Sequence, residues 1–365
     1  MMKPSLIPGW ISRPRLDYPL LVALVLVSIA GLFVLYSASD GDQRLVTNQA
    51  IRLGIGFAGL LLIALLPPRL FRHWSFWLYF LGMLLLLATA VFGEGRGADR
   101  WLDLSVVRFQ PSELMKLVVP MTVAAWLHNK LLPPGWREVL VAVVIIMLPM
   151  LLIIRQPDLG TALLVGMSGV FVLFLAGIRW RVIFSFAGLA AAAAPIMWLF
   201  MHEYQRNRVR TFINPESDPL GHGWNIIQSK IAVGSGGLNG KGWMQGTQSQ
   251  LEFLPEHTTD FIMGVLAEEF GLLGVLLLLA VYLFIIGRSL YLASHARDTF
   301  SRLLCGSLAM IFFVYVMVNG GMITGIIPVV GVPLPLISYG GTSVVTLLAG
   351  FGLIMSVWGH RRFIR

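Results

Sequence analysis

Apolar residues run along this chain in long blocks, divided by short breaks that carry most of its charge. A helix crosses the hydrocarbon of a bilayer in about 20 mostly apolar residues. Ten stretches reach that length: 17–38, 48–66, 74–92, 112–130, 137–154, 159–177, 182–201, 271–287, 301–323 and 340–358. The pattern predicts an all-α integral membrane protein of about ten transmembrane helices, one polytopic domain over 1–365. One break is far longer than a connector needs, residues 202–270 between spans seven and eight. Loops of that length are functional or disordered. This one carries Phe212, Trp224, Ile226, Ile227, Ile231, Trp243, Leu251, Phe253 and Leu254, so an ordered loop folded over the mouth of the bundle is expected. Its glycine run, "GSGGLNGKGWMQG", supplies backbone freedom between those anchors. The stretch "IIPVVGVPLPLISYGG" (326–341) is too rich in Pro and Gly to continue a helix and is expected to re-enter the bundle.

Composition agrees. The chain is 57% hydrophobic, with a mean hydropathy of +0.79, more apolar surface than a soluble protein could cover. Charge bias sets the orientation. With both termini inside, the inner side collects more than half of the 27 basic residues but only Asp17, Glu138 and Asp298 of the 18 acids. The positive-inside rule therefore puts both termini in the cytoplasm and the long loop outside. The net charge of +9 reads as an insertion signal and an attraction to anionic inner-leaflet lipid. No basic patch points to nucleic acid. The N-terminal leader is Pro-rich, with no small-residue cleavage site after it, so no cleavable signal is expected. Cys305 is alone and inside a span, which excludes an internal disulfide.

Candidate chemistry gathers at the outer ends of the spans. "RFQPSELMK" (108–116) brings Arg108, Glu113 and Lys116; "RQPDLGT" (155–161) brings Asp158; Arg52 lies a turn inside span two. Ionisable groups at membrane depth are costly and tend to face an interior cavity. The plainer alternative is that they pair to hold helix ends together. The acidic segment "LPEHTTDFIMGVLAEEFG" (254–271) opens span eight. Taken as helical from about Pro255, it sets Glu256 and Asp260 on one face, and Glu268 and Glu269 at the headgroup level. His257 has no partner at metal-ligand spacing. Asp260 is the candidate catalytic group, with Glu256 as its acidic neighbour. Its structural alternative is a charge stabilised by a helix N-terminus. The glycine run is no P-loop, because Lys241 is followed by Gly242 rather than Ser or Thr.

The motifs "FQPSELMKL" (109–117), "NPESDPLGHGWNIIQSKIAVGSGGLNGKG" (214–242), "QSQLEFLPEHTTDFI" (248–262) and "GVPLPLISYGGTS" (331–343) closely resemble those of the SEDS family, the shape, elongation, division and sporulation proteins of bacterial cell-wall synthesis. The likeness spans essentially the whole chain. It leans to the rod-shape branch over the division branch, on the short N-terminus and "YSAS" (36–39). The resemblance implies a peptidoglycan glycosyltransferase of the cell inner membrane with its site on the periplasmic face. Such an enzyme polymerises lipid II into glycan strands for elongation and rod shape, releasing undecaprenyl diphosphate. The family's essential loop aspartate falls on Asp260, and its charged cavity residues on Glu113, Lys116 and Asp158, with Arg52 and Arg108 beside them. It also implies partners: a class B penicillin-binding protein packed against spans eight and nine, where "NGGMITG" (319–325) offers small residues unless its glycines serve only an internal bend, and other elongation-complex membrane proteins. No cofactor is required, although the acidic cluster leaves room for magnesium or manganese. Two other readings stay open: a lipid II flippase, which would bind near the midplane, and a non-catalytic scaffold of the elongation machinery.

Overall fold

The computed structural model describes residues 16–92, 101–103, 108–156, 158–182, 203–214, 222–247 and 256–360, with isolated positions between 184 and 195. Its helices are α1 (Tyr18–Ala38), α2 (Gln43–Leu65), α3 (Pro68–Phe92), α4 (Pro111–Leu127), α5 (Trp136–Arg155), α6 (Leu159–Leu175), α7 (Glu203–Ile213), α8 (His222–Ser235), α9 (Ile262–Ser294), α10 (Thr299–Ile323) and α11 (Thr342–Gly359). Two short antiparallel strands, β1 (Leu102–Asp103) and β2 (Arg108–Phe109), precede α4. Seven helices, α1, α2, α3, α5, α9, α10 and α11, are long and apolar enough to cross a membrane. The protein is thus a multi-pass helical membrane protein. α4 and α6 match two further expected spans but are shorter, at 17 residues each. Span 182–201 lies outside the described residues apart from isolated positions.

Aspartates start several of these helices. Asp17, Asp42, Asp158 and Asp298 are the N-caps of α1, α2, α6 and α10, and each carboxylate accepts from a backbone N–H of the first turn. Asp17 also pairs with Arg288 of α9 at 2.7 Å, tying the two helices at one end of the bundle.

At the other end, α9 is interrupted. Gly271 stands at φ 63°, ψ −164°, inside what would otherwise be one helix. In an unbroken helix the N–H groups of Leu272 and Leu273 would donate to the carbonyls of Glu268 and Glu269. Here the glycine run supplies all four partners. Lys241 and Gly242 donate to the Glu268 and Glu269 carbonyls at 3.0 Å, while Leu272 and Leu273 donate to Gly237 and Leu238 at 2.9 and 3.1 Å. The approach leaves no room for side chains: a Cβ on Gly240 would lie 2.1 Å from the Glu269 carbonyl oxygen. Broken helices persist in apolar surroundings where the freed groups find partners in this way.

Side chains complete the clasp. Glu268 is fully buried, and its Oε1 accepts from Lys241 Nζ at 2.6 Å and from the Thr247 N–H and hydroxyl at 2.9 and 3.0 Å. Glu269, also buried, accepts from Ser37 of α1. Trp243 stacks on Tyr36 with ring centroids 5.9 Å apart. The two glutamates are therefore interior groups that fasten the loop rather than solvated charges. In the described part of the loop, Ser229 of α8 donates to the Ile323 carbonyl at the end of α10 at 3.0 Å.

Residues 326–341 leave helical geometry as expected and thread among α1, α2, α6, α9 and α10. Side chains satisfy part of their backbone. Tyr282 donates to the Pro335 carbonyl at 2.7 Å, Ser338 accepts from Leu334 N–H at 2.8 Å, and Gln49 bridges the Ser338 carbonyl and the Gly340 N–H. Gly160 of α6 lets this segment approach closely, since a Cβ there would meet the Val330 oxygen at 2.3 Å.

Candidate active site

Asp260 lies in a turn, not a helix. Residues 256–261 form turns, α9 starts only at Ile262, and Glu256 takes φ +57°. The expected helical face shared by Glu256 and Asp260 is therefore absent. Local periodicity cannot register the cause, because the turn is shaped by distant groups. Asn319 of α10 donates to the Asp260 carbonyl at 2.8 Å, Ser338 donates to the Thr259 carbonyl at 2.6 Å, and the Tyr339 N–H donates to the Thr258 carbonyl at 2.9 Å. Glu256 is exposed, and its carboxylate accepts from the Thr259 hydroxyl at 2.6 Å. Asp260 itself is half-buried, with its carboxylate toward Gly331: a Cβ there would lie 3.5 Å from Oδ2.

The other charged residues border the same re-entrant segment. Arg52 lies 4.5 Å over the ring of Tyr339, whose backbone holds the Asp260 turn, and close to Gly341 at the start of α11. No side chain caps that helix start. Asp158 caps α6 through Thr161 and accepts from Gln110 at 3.0 Å, two residues from the Gly160 contact with Val330. Asp158 thus has a structural duty of its own. Arg108 belongs to β2, opposite Asp103; its side chain lies outside the described atoms.

Glu113 and Lys116 form a buried pair on α4 at 2.7 Å. Lys116 also donates to the Tyr315 hydroxyl at 2.5 Å. Tyr315 is four residues before Asn319 on α10, so this cluster sits about 6 Å deeper along that helix than the Asp260 turn. An ammonium has three donors, and two are taken. Lys116 lines a small apolar cleft between α4, α10 and α11 whose other walls include Leu308, Ile311, Phe312 and Leu347. Glu113 Oε2 is buried without a hydrogen-bond partner. The pair does hold helices together, and it also leaves hydrogen-bonding capacity beside an apolar cleft.

Sequence reasoning did not single out Asn319, Tyr315, Gln49 or Ser338. The first two are lone polar groups within apolar spans, a signal available in principle. Gly321 and Gly325, in the small-residue stretch proposed for partner packing, serve the internal bend: Gly325 takes φ +71°, and a Cβ on Gly321 would meet Ile327 at 2.6 Å. Among the described residues no group of three or more His, Cys, Asp and Glu is arranged to hold a metal.

Residues 18–363 match the cell cycle protein family of FtsW, RodA and SpoVE. The chain belongs to this family, the SEDS family whose motifs it carries. Family relatives include the peptidoglycan glycosyltransferase MrdB of Escherichia coli K12, 50% identical over 96% of both chains. A probable peptidoglycan glycosyltransferase FtsW of Trichlorobacter lovleyi is 35% identical over 93% of both. Among solved family structures, a chain of a peptidoglycan synthase complex that coordinates polymerization and crosslinking gives a TM-score of 0.84 at 31% identity, covering 96% of this chain and 99% of its own. The rod shape determining protein RodA of Thermus thermophilus gives 0.73 at 30% identity, covering 97% and 100%.

Proposed function

We infer that the protein is a peptidoglycan glycosyltransferase, and we propose that it polymerises lipid II by an inverting transfer with Asp260 as general base. The observation that carries the mechanism is the half-buried Asp260 carboxylate, held beside Gly331 above the buried Glu113–Lys116 pair. In the reaction an acceptor sugar hydroxyl attacks the anomeric carbon of an α-linked donor. The new C–O bond forms as the bond to the lipid diphosphate breaks, the hydroxyl proton passes to Asp260, and the product is β-linked. One base suffices for such a displacement, whereas a double displacement needs two carboxylates about 5–5.5 Å apart. General-base help of this kind is worth about 10²–10⁴ in rate, or roughly 3–5 kcal/mol.

The departing undecaprenyl diphosphate gathers negative charge. Arg52 at the uncapped start of α11, and the third donor of Lys116, are the groups suited to offset it. Arg108 would assist from β2. Glu256 and Asp158 support the site by shaping its rims. A magnesium or manganese ion, if used, would draw its ligands from the diphosphate and a single carboxylate, a common arrangement for Mg²⁺. The apolar cleft beside Lys116 suits the lipid end of the donor.

This chemistry goes with ten spans, both termini in the cytoplasm, and the 202–270 loop with its site facing the periplasm from the inner membrane; the charge bias of the loops supports it. A class B penicillin-binding protein would dock on the apolar outer faces of α9 and α10, where Leu276, Leu277 and Met317 are exposed. Further elongation-complex proteins would join there or elsewhere on the bundle.

The test is polymerisation of lipid II by purified protein, alone and with its transpeptidase partner, with glycan lengths resolved on a gel. Asp260→Asn should lower the rate at least about 10²-fold while the variant melts like wild type. A fully active Asp260→Asn enzyme would sink the base assignment. A wild type that makes no polymer in either condition would reopen the flippase and scaffold readings.

A further inference from the structure

Asn319 is fully buried in α10, and its side-chain amide joins three separate segments. Nδ2 donates to the Asp260 carbonyl and to the Val332 carbonyl, both at 2.8 Å. An amide nitrogen has two hydrogens, so its donors are fully used. That also fixes the orientation, because the flipped amide would press its oxygen against two carbonyl oxygens. The consequence is that Oδ1 is buried with no hydrogen-bond partner. Such orphaned groups are rare and call for a reason. A residue present only to fill the space between helices would be hydrocarbon.

We propose that Asn319 is a positioning residue for the transfer reaction: it locks the turn carrying Asp260 to the re-entrant segment at Val332. This rests on the reading of Asp260 as the base. Ser338 and Tyr339 hold Thr259 and Thr258, whereas Asn319 holds the carbonyl of Asp260 itself. Through Val332 it also fixes the neighbour of Gly331, the residue the Asp260 carboxylate faces. Both sides of the gap in which the carboxylate works are thereby set by one amide. Misplacing a reacting group by about 1 Å is enough to cost about 10²-fold in rate.

Two substitutions test this. Asn319→Leu keeps the branched heavy-atom skeleton and removes both donors; Asn319→Asp keeps the shape and retains at most one. With lipid II as substrate, the Leu variant should lose about 10²-fold in kcat with KM within about 3-fold of wild type. The Asp variant should fall between the two. Amide hydrogen exchange at Thr258–Phe261 should speed up in the same order. The Leu variant should melt lower, since the Asp260 and Val332 carbonyls lose their donors, so kcat is read per folded enzyme, where a purely structural role would leave it at the wild-type value. Wild-type kcat in either variant overturns the proposal, as does a loss of kcat that only matches a loss of folded protein. Should the Leu variant fail to fold, the Asp variant and its exchange rates decide alone. Asp260→Asn run alongside separates the two ideas. If it is inactive while both Asn319 variants are active, only the positioning role fails; if it is active, the base itself fails.

Discussion

At Gly271 the loop meets α9 backbone to backbone, and the four main-chain groups freed by the break all find partners. At the other end of the same helical stub, the turn before Ile262 is held mostly by side chains reaching in from α10 and the re-entrant segment. The first contact is closed: its ion pair between Lys241 and the fully buried Glu268 is sealed by Thr247. The second is open, with a half-buried carboxylate on Asp260 and an exposed neighbour in Glu256. Buried networks braced by backbone hydrogen bonds rigidify, whereas a carboxylate left accessible in a turn can meet a substrate. The stub is thus fixed at Gly271 so that Asp260 can be presented at its far end without the turn being filled in.

The most damaging way to break this contrast is to unseat the clasp. Gly240 stands at φ +79° with a Cβ position 2.1 Å from the Glu269 carbonyl oxygen. Gly240→Ala combines left-handed strain with displacement of backbone, together about 4 kcal/mol. The purified variant should melt markedly lower than wild type, and protease should cut within 236–247. A variant with wild-type melting and normal polymerisation would show that the clasp is not the anchor.

A smaller effect is expected from its ion pair. Lys241→Met leaves the buried Glu268 carboxylate without its cation, a loss of about 3 kcal/mol. Adding Glu268→Gln removes the stranded charge and should restore more than half of that stability. A double-mutant cycle on detergent melting reads the coupling directly. Simple additivity would mean that the pair is too well solvated to matter.

The same contrast marks what could be read from the chain alone. Hydropathy finds the spans because lipid imposes one length and one polarity on all of them. Charge finds Glu113, Lys116, Asp158 and Asp260 because ionisable groups are scarce at that depth. The Gly271 break falls where the greasy run begins, so it looks like a span boundary although helix lies on both sides. Glu268 and Glu269 look solvated for the same reason; only their partners, Lys241 and Ser37, far away in sequence, reveal that they are interior. Asn319 is harder still, since one amide in an apolar helix is a fainter mark than any charge. Its meaning comes from the carbonyls of Asp260 and Val332, which no local pattern brings together.

The gentlest substitution sharpens the open end of the comparison. Glu256 and Asp260 would make a catalytic pair if they shared a helical face, but Glu256 sits in a turn, exposed, with Thr259 donating to its carboxylate. Glutamine can still accept that bond through its amide oxygen. Glu256→Gln should therefore change folding stability by no more than about 0.5 kcal/mol, as exposed substitutions do, and polymerisation by less than about 3-fold, the rate equivalent of such an energy. Rates of lipid II polymerisation measured across pH, for this variant beside Asp260→Asn, are the check. An equal collapse in both variants would mean that two carboxylates act in the reaction. Single-base inversion would then give way to a double displacement, with a covalent glycosyl intermediate to be trapped.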